Sequence, residues 1–239
     1  MTATIDVSSA LGHGAQLVAQ LEQRKADHVE QATAVLQWAA QTFGDRLVVL
    51  SSMGDEVLVH LASDAVPGIN VAFIDTDYHF AETIGTRDAY AAARSLTMLT
   101  LKPLLTIQEQ AEQYGPDLYK TNPDQCCAIR KVEPLNRALA DVDAWVTGMR
   151  REDAPTRADI QLIEEDKKRK IVKLNPLASW TSADLDDYIA EHKVLLNPLR
   201  QLGYTSIGCE PCTRAVAPGE DPRAGRWAGT DKTECGLHT

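Results

Sequence analysis

The sequence predicts one α/β domain built on a doubly wound, mostly parallel sheet. Three features predict it: apolar runs at Leu47-Val48-Val49-Leu50 and Ile69-Asn70-Val71-Ala72-Phe73-Ile74, helical segments alternating with them, and a polar turn closing each run. A strand covered by helices on both sides must be apolar on both faces. Strand–helix alternation is the pattern of βαβ units. A chain of 239 residues is long enough for one such domain with one large core.

Residues 1–25 read as a variable start, and apolar residues at helical spacing over 29–39 predict the first helix. The first strand, 47–50, enters the turn Ser51-Ser52-Met53-Gly54-Asp55 and a helix over 56–63. The second, 69–74, ends at Asp75-Thr76-Asp77-Tyr78. A helix over 80–94, a third strand over 96–101 and helical residues 107–112 follow. Residues 125–140 read as helix, and Ala144-Trp145-Val146-Thr147 as a fourth strand stopping at Gly148. The charge run 164–170 reads as a solvated turn, Ile171-Val172-Lys173-Leu174 as a short strand, and Thr181 or Ser182 as the N-cap of a helix to about His192. Turns dominate from Asn197, and Pro218-Gly219-Glu220-Asp221-Pro222 reads as a hinge. Ligands of such sheets bind at the carboxyl ends of the strands. Here those ends are the turns at 51–55, 75–78 and Gly148-Met149-Arg150-Arg151, rich in hydroxyl, carboxylate and guanidinium groups.

The formal net charge of −10 speaks against a nucleic-acid partner, so an anionic ligand would need a local basic pocket. No uncharged apolar run is long enough to cross a bilayer, and no basic start is followed by an apolar stretch. No membrane partner and a cytoplasmic location are the resulting expectations. In that compartment thiols stay reduced, so five cysteines are ligands or nucleophiles rather than disulfides.

Those cysteines fall in three places: the adjacent pair Cys126-Cys127, the C-x-x-C of Cys209 and Cys212, and Cys235 alone near the end. A C-x-x-C suits redox chemistry, structural zinc or an iron–sulfur cluster. A redox pair usually opens a helix after a strand, whereas this one lies in a turn-rich region with Pro211 inside it. Zinc wants four ligands around one point, which is awkward for neighbours that point about 100° apart on a helix. A cubane cluster offers separate corners to separate thiolates. Four thiolates for a metal centre would leave the fifth free as a nucleophile.

Three segments together, Cys126-Cys127-Ala128-Ile129-Arg130-Lys131-Val132-Glu133-Pro134-Leu135, Ser206-Ile207-Gly208-Cys209-Glu210-Pro211-Cys212-Thr213-Arg214 and Glu234-Cys235-Gly236-Leu237-His238, resemble the assimilatory adenylyl-sulfate (APS) reductases. The resemblance runs from about Leu47 to His238. It implies a fold of the adenine nucleotide alpha-hydrolase-like type. It also implies one [4Fe–4S] cluster on Cys126, Cys127, Cys209 and Cys212, with Lys131 close to both cluster and substrate sulfate. The related phosphoadenylyl-sulfate (PAPS) reductases lack the cluster cysteines, so all four favour APS. In the family a tail cysteine, matched here by Cys235, attacks the sulfur of APS, displaces AMP and becomes a thiosulfonate; thioredoxin then releases sulfite. The cluster is expected to stay in one oxidation state, acting by charge and by positioning Lys131. The chain then divides into a variable segment 1–25, a nucleotide-binding reductase domain 26–214 and a mobile C-terminal tail 215–239, and a homo-oligomer is allowed for.

Further site residues follow from the same motifs. Lys232 and His238 flank Cys235 and can stabilise its thiolate. Arg223 and Arg226 match family arginines for sulfate and phosphate, and Arg150 lies in the Gly-x-Arg-Arg stretch that lines the nucleotide site. Guanidinium groups suit such anions through fork geometry and permanent charge. Ser51, Ser52 and Asp55 occupy the place of the phosphate loop of ATP pyrophosphatases, without its double glycine and closing serine, which argues against ATP hydrolysis. Asp75 and Thr76 belong to the second nucleotide loop; His60 and His79 are read as structural. The rival readings are a PAPS or dual-substrate reductase, an iron–sulfur electron carrier or redox sensor, and a zinc-stapled structural protein.

Overall fold

In the computed structural model, the described residues are 5–54, 56–230, 232 and 234–237. Six strands form one sheet in the order β3-β2-β1-β4-β6-β5. They are β1 (Leu47–Ser51), β2 (Ile69–Ile74), β3 (Leu96–Leu101), β4 (Ala144–Val146), β5 (Ile163–Asp166) and β6 (Ile171–Leu174). All neighbours pair in parallel except β5 and β6, which are antiparallel. The helices are α1 (Val7–Gln23), α2 (His28–Phe43), α3 (Glu56–Ala65), α4 (Ala81–Ala93), α5 (Ile107–Tyr114), α6 (Leu118–Thr121), α7 (Pro123–Cys127), α8 (Glu133–Leu139) and α9 (Ser182–His192).

β1 shows why the sheet is wound on both faces. Successive strand residues point to opposite sides. Leu47 and Val49 enter the larger core with α1, α2 and α3, while Val48 and Leu50 enter a second core with Leu135, Leu139 and Trp145. The chain leaves β1 for β2 and β3 on one side and later returns to place β4 on the other. That reversal opens a crevice at the carboxyl ends of β1 and β4, where ligands of such sheets bind.

All five expected strands and most helices lie within two residues of their expected bounds. Thr181 caps α9 in a capping box with Asp184. Two regions differ. The variable start contains α1, capped by Asp6, which buries Ala10, Gly14 and Leu21 against the main core. Gly14 allows the approach: a methyl there would stand 3.0 Å from Ile163 and 3.3 Å from Trp38. The charge run 164–170 is not all turn. Its first half is β5, an edge strand whose Glu164 faces Lys173 of β6 across the ladder. Charge on an edge strand costs little and deters further pairing, so the charge run carried no mark of the strand within it.

Candidate active site

The turns after β1 and β2 each carry a residue in the left-handed region, Met53 at φ 54° and Asp77 at φ 58°. Backbone of this kind persists only where its surroundings hold it, and it gathers at functional sites. Ser51 Oγ accepts from Met53 N at 3.1 Å, closing the first turn. The second turn pairs with the C-x-x-C segment: Glu210 N donates to Tyr78 O at 2.7 Å, and His79 bridges Cys209. Cys209 Sγ therefore lies 3.2 Å from Thr76 Oγ1. Trp227 N donates to Cys212 O at 2.9 Å and Arg214 N to Gly225 O at 3.0 Å, so the segment holding the expected hinge forms a loop closed at its base.

Cys126 and Cys127 end α7, and the chain then widens into a π-helical turn, Ala128–Val132, before α8. Such turns interrupt α-helices most often at functional sites. Both cysteines border one cavity together with Cys209 and Cys212 from the other motif. Tyr78, Tyr119, Pro123 and Pro211 supply its apolar wall, and Arg130 and Lys131 its cations. Burial and the neighbouring thiols push Cys126 up to about 12 and Cys212 up to about 11. Four thiols crowded in a poorly hydrated space resist ionising together unless a cation joins them. Among the described residues no three Cys, His, Asp or Glu side chains form a group that could hold a metal ion, so the thiols border the cavity without closing on one point.

Arg130, buried between the β2 turn and the start of α5, donates to Thr76 O at 2.6 Å, Asp77 Oδ2 at 2.7 Å, Gln110 Oε1 at 3.1 Å and Leu105 O at 3.2 Å. It fixes the cysteine helix to the β2 turn. Nothing local marks it in the sequence, because an arginine beside a basic neighbour looks like surface.

A cleft of about 500 Å³ lies beside the cavity, at the carboxyl ends of β1, β2 and β4. Ser51, Ser52, Thr76, Lys131, Arg150, Arg223, Arg226 and Cys235 all line it. Lys131 borders both spaces and joins them. Burial works to lower its pKa, but the Cys209, Cys127 and Cys235 thiols outweigh it, and the ammonium is held. Arg226 stacks over Trp227 at 4.5 Å and donates to Ser206 Oγ at 3.2 Å and Ile207 O at 3.3 Å, while its buried Nε has no acceptor. Neither Lys131 nor Arg226 has a carboxylate partner among the described residues, so both are free to meet an anion. Arg150 is bound to Asp153 at 2.7 Å and to Glu152 at 3.4 Å. Arg151 donates to Ile160 O at 2.9 Å and does not line the cleft.

Asp75 does not join the site. Its carboxylate takes Lys102 at 2.9 Å and Arg87 at 3.6 Å, and also the Asp77 N–H at 3.1 Å. Neighbouring residues leaving β2 point to opposite sides, so Thr76 faces the cleft while Asp75 faces the basic residues Lys102 and Arg87. Asp55 and His238 lie outside the described residues. His60 hydrogen-bonds Tyr188 Oη at 3.1 Å and His79 meets Ile74 O at 2.8 Å, both structural contacts. Arg157 also lines the cleft, and nothing local marks it, because its pairing with Glu234 spans 77 positions.

The chain matches the phosphoadenosine phosphosulfate reductase domain over residues 46–215. The adenosine 5'-phosphosulfate reductase of Streptomyces coelicolor (strain ATCC BAA-471 / A3(2) / M145) is 54% identical over 220 residues, 91% of this chain and 93% of the relative. That of Rhodococcus opacus (strain B4) is 47% identical over 247 residues, covering 98% and 99%. Among solved structures, phosphoadenylyl-sulfate (PAPS) reductase from Candida auris superimposes with a TM-score of 0.66 at 31% identity, over 83% of this chain and 96% of the other. The FMN adenylyltransferase of Candida glabrata shares the fold, with a TM-score of 0.54 at 16% identity over 83% and 66%. A nucleotide-binding α/β fold with a thiol in its cleft thus defines the class, oxidoreductases acting on a sulfur group. The chain belongs to the phosphoadenosine phosphosulfate reductase family.

Proposed function

We propose that the protein reduces APS to sulfite and AMP in assimilatory sulfate reduction, in the cytoplasm, with a thioredoxin-type dithiol as reductant. The observation that carries the reading is the meeting of Cys235 with Lys131 and Arg226 in one cleft at the strand ends. The homologues carrying the APS reductase name support the same substrate.

The Cys235 thiolate attacks the sulfate sulfur of APS. A sulfur–sulfur bond forms, the sulfur–oxygen bond to phosphate breaks, and AMP leaves with the electron pair. Lys131 and Arg226 stabilise the charge shifting onto the phosphate and sulfonyl oxygens. Ser51, Ser52 and Thr76 offer hydroxyl groups to the nucleotide, and Arg223 faces it from the 214–226 loop. One thiol of the reductant then attacks Cys235 Sγ and sulfite departs, taking sulfur from the sulfate to the sulfite oxidation level. The second thiol resolves the mixed disulfide, returning Cys235 as thiol and leaving the carrier as disulfide.

The donor set fits a [4Fe–4S] cluster on Cys126, Cys127, Cys209 and Cys212: four thiols, an apolar wall, two adjacent cations and a hydroxyl on Cys209. When bound, the cluster supplies charge beside Lys131 and a rigid frame for both cysteine segments. Anaerobic purification with iron and sulfide quantified, followed by sulfite assays on APS and PAPS with thioredoxin, tests the reading. A colourless protein, or one faster on PAPS than on APS, overturns the corresponding part.

A further inference from the structure

We propose that Asn197 is a positioning residue that braces the turn after β1 from behind and so aims the Gly54 N–H at the nucleotide. The inference deepens the functional reading and rests on it, since it takes the cleft as a nucleotide site. Ser51, Ser52 and Gly54 line the cleft, whereas Met53 between them is buried in the main core. Met53 is also the left-handed residue of that turn, at φ 54°. A bulky residue keeps such backbone only where its surroundings over-determine it.

Asn197 supplies that hold. It is fully buried and does not line the cleft. Its Nδ2 donates to Met53 O at 3.1 Å and to Thr83 Oγ1 of α4 at 3.1 Å. Its Oδ1 accepts from Leu199 N at 3.1 Å, so both donors and the oxygen of the carboxamide are committed. Its backbone N donates to Glu56 Oε1 at 2.8 Å. Three residues on, Arg200 adds a second brace: Nη2 donates to Gly54 O at 2.7 Å, while Nε holds Glu56 Oε2 at 3.0 Å. A methyl group at Gly54 would stand 3.2 Å from Ile207 Cβ, so the turn also rests on the segment that leads to Cys209.

The peptide plane gives the brace its consequence. In a trans peptide the carbonyl and the next N–H point in opposite directions. Met53 O is drawn back to buried Asn197, so the Gly54 N–H of the same plane points the other way, toward the cleft that Gly54 lines. Backbone N–H groups fixed in this manner suit phosphate oxygens. Without Asn197 the plane can rotate, and the left-handed Met53 has no tie on its carbonyl side.

The test uses the full-length protein with Asn197→Ala, Arg200→Lys and, as a control, Thr83→Val. Asn197→Ala should raise KM for APS and Kd for AMP about 10-fold, with kcat within about threefold of wild type. A group that only binds the nucleotide acts on ground and transition states alike. Arg200→Lys keeps a cation for Glu56 and loses the fork that spans Glu56 and Gly54 O, so KM should rise about fivefold. Thr83→Val removes the other partner of the same amide group; it should lower the melting temperature and leave KM and Kd at wild-type values. Without nucleotide, the peptide carrying Met53 and Gly54 should exchange its amide hydrogens at least about fivefold faster in Asn197→Ala and Arg200→Lys. That reading separates bracing from direct contact, since Arg200 also borders the cleft. If Asn197→Ala does not fold, Arg200→Lys decides alone. Unchanged exchange, a loss confined to kcat, or a KM rise of equal size in Thr83→Val would overturn the proposal. A wild type that binds neither APS nor AMP would overturn the functional reading and the proposal together. A wild type that binds both, beside variants that bind them equally well, would overturn the proposal alone.

Discussion

Gly208 lies flat against the guanidinium of Arg226: a methyl group at 208 would stand 2.6 Å from Cζ and 2.9 Å from Nε. Arg226 cannot retreat, because Trp227 stacks on it at 4.5 Å and Ser206 and Ile207 hold its Nη1. The glycine before the C-x-x-C therefore keeps room for a cation of the cleft. Gly208→Ala should leave the fold intact and lower kcat/KM for APS by about 100-fold, through misplacement of one charge. Arg226→Ala should show a similar loss, and the two combined should fall short of the sum of their free energies. Steady-state kinetics on all three proteins checks this.

The four cysteines proposed for the cluster and the proposed nucleophile Cys235 should separate cleanly. Replacing Cys126, Cys127, Cys209 or Cys212 by serine should lower bound iron and sulfide in the anaerobically purified protein, with activity lost alongside. Cys235→Ser should keep iron and sulfide at wild-type levels, yet form neither sulfite nor the SO₃-sized adduct that wild type should carry after mixing with APS alone. Iron analysis and intact-protein mass spectrometry read the two outcomes independently.

Glu56 and Arg200 give a pH signature. Glu56 is fully buried, and Arg200 binds it at 2.9 Å, with Asn197 N at 2.8 Å on its other oxygen. Burial raises the Glu56 pKa, and Arg200 and the Asn197 N–H hold it down only in part. Arg200→Ala should destabilise by about 3 kcal/mol at neutral pH, the low end for a broken buried pair because Arg200 is partly exposed. The sign follows from the raised carboxyl pKa. The folded state binds its proton more tightly than the unfolded chain, so the penalty is full above the folded-state pKa and shrinks as pH falls through it. Thermal unfolding of both proteins between pH 8 and pH 5 (about the range that spans a raised carboxyl) should show the gap narrowing on the acid side.

Leu21 anchors α1 in the main core and is 1% exposed. Leu21→Ala should cost about 3 kcal/mol in urea unfolding, as buried leucine truncations do. A change near zero would mean that the first helix adds nothing to the fold.

Much of this molecule was legible in one dimension because its signals are local. A strand buried on both faces must be apolar throughout, so β1 and β2 stood out, and the hydroxyl pair Thr181-Ser182 marked the start of α9 within one turn. The same holds for the cysteine spacing, which set four thiols apart from a fifth before any partner was known. Signals failed where the local chemistry fits two environments. A charged run serves an edge strand as well as a turn, so β5 was hidden. The amphipathic start gave no mark of its partner, so α1 was hidden too.

What the order of residues determined by itself is the α/β class, the family and the set of cysteines. The tertiary structure decided which of the neighbouring polar groups face the cleft. Asp75 and Thr76 are adjacent, yet they leave β2 on opposite sides, one toward Lys102 and the other toward Cys209. Arg150, Arg157, Arg223 and Arg226 look alike as letters, but folding neutralises the first two with carboxylates and, among the described residues, gives Arg226 only Ser206 and the Ile207 carbonyl. The physical reason is that a charge acts through what surrounds it, and those surroundings come from segments up to 77 positions away that meet only when the sheet closes around the cleft.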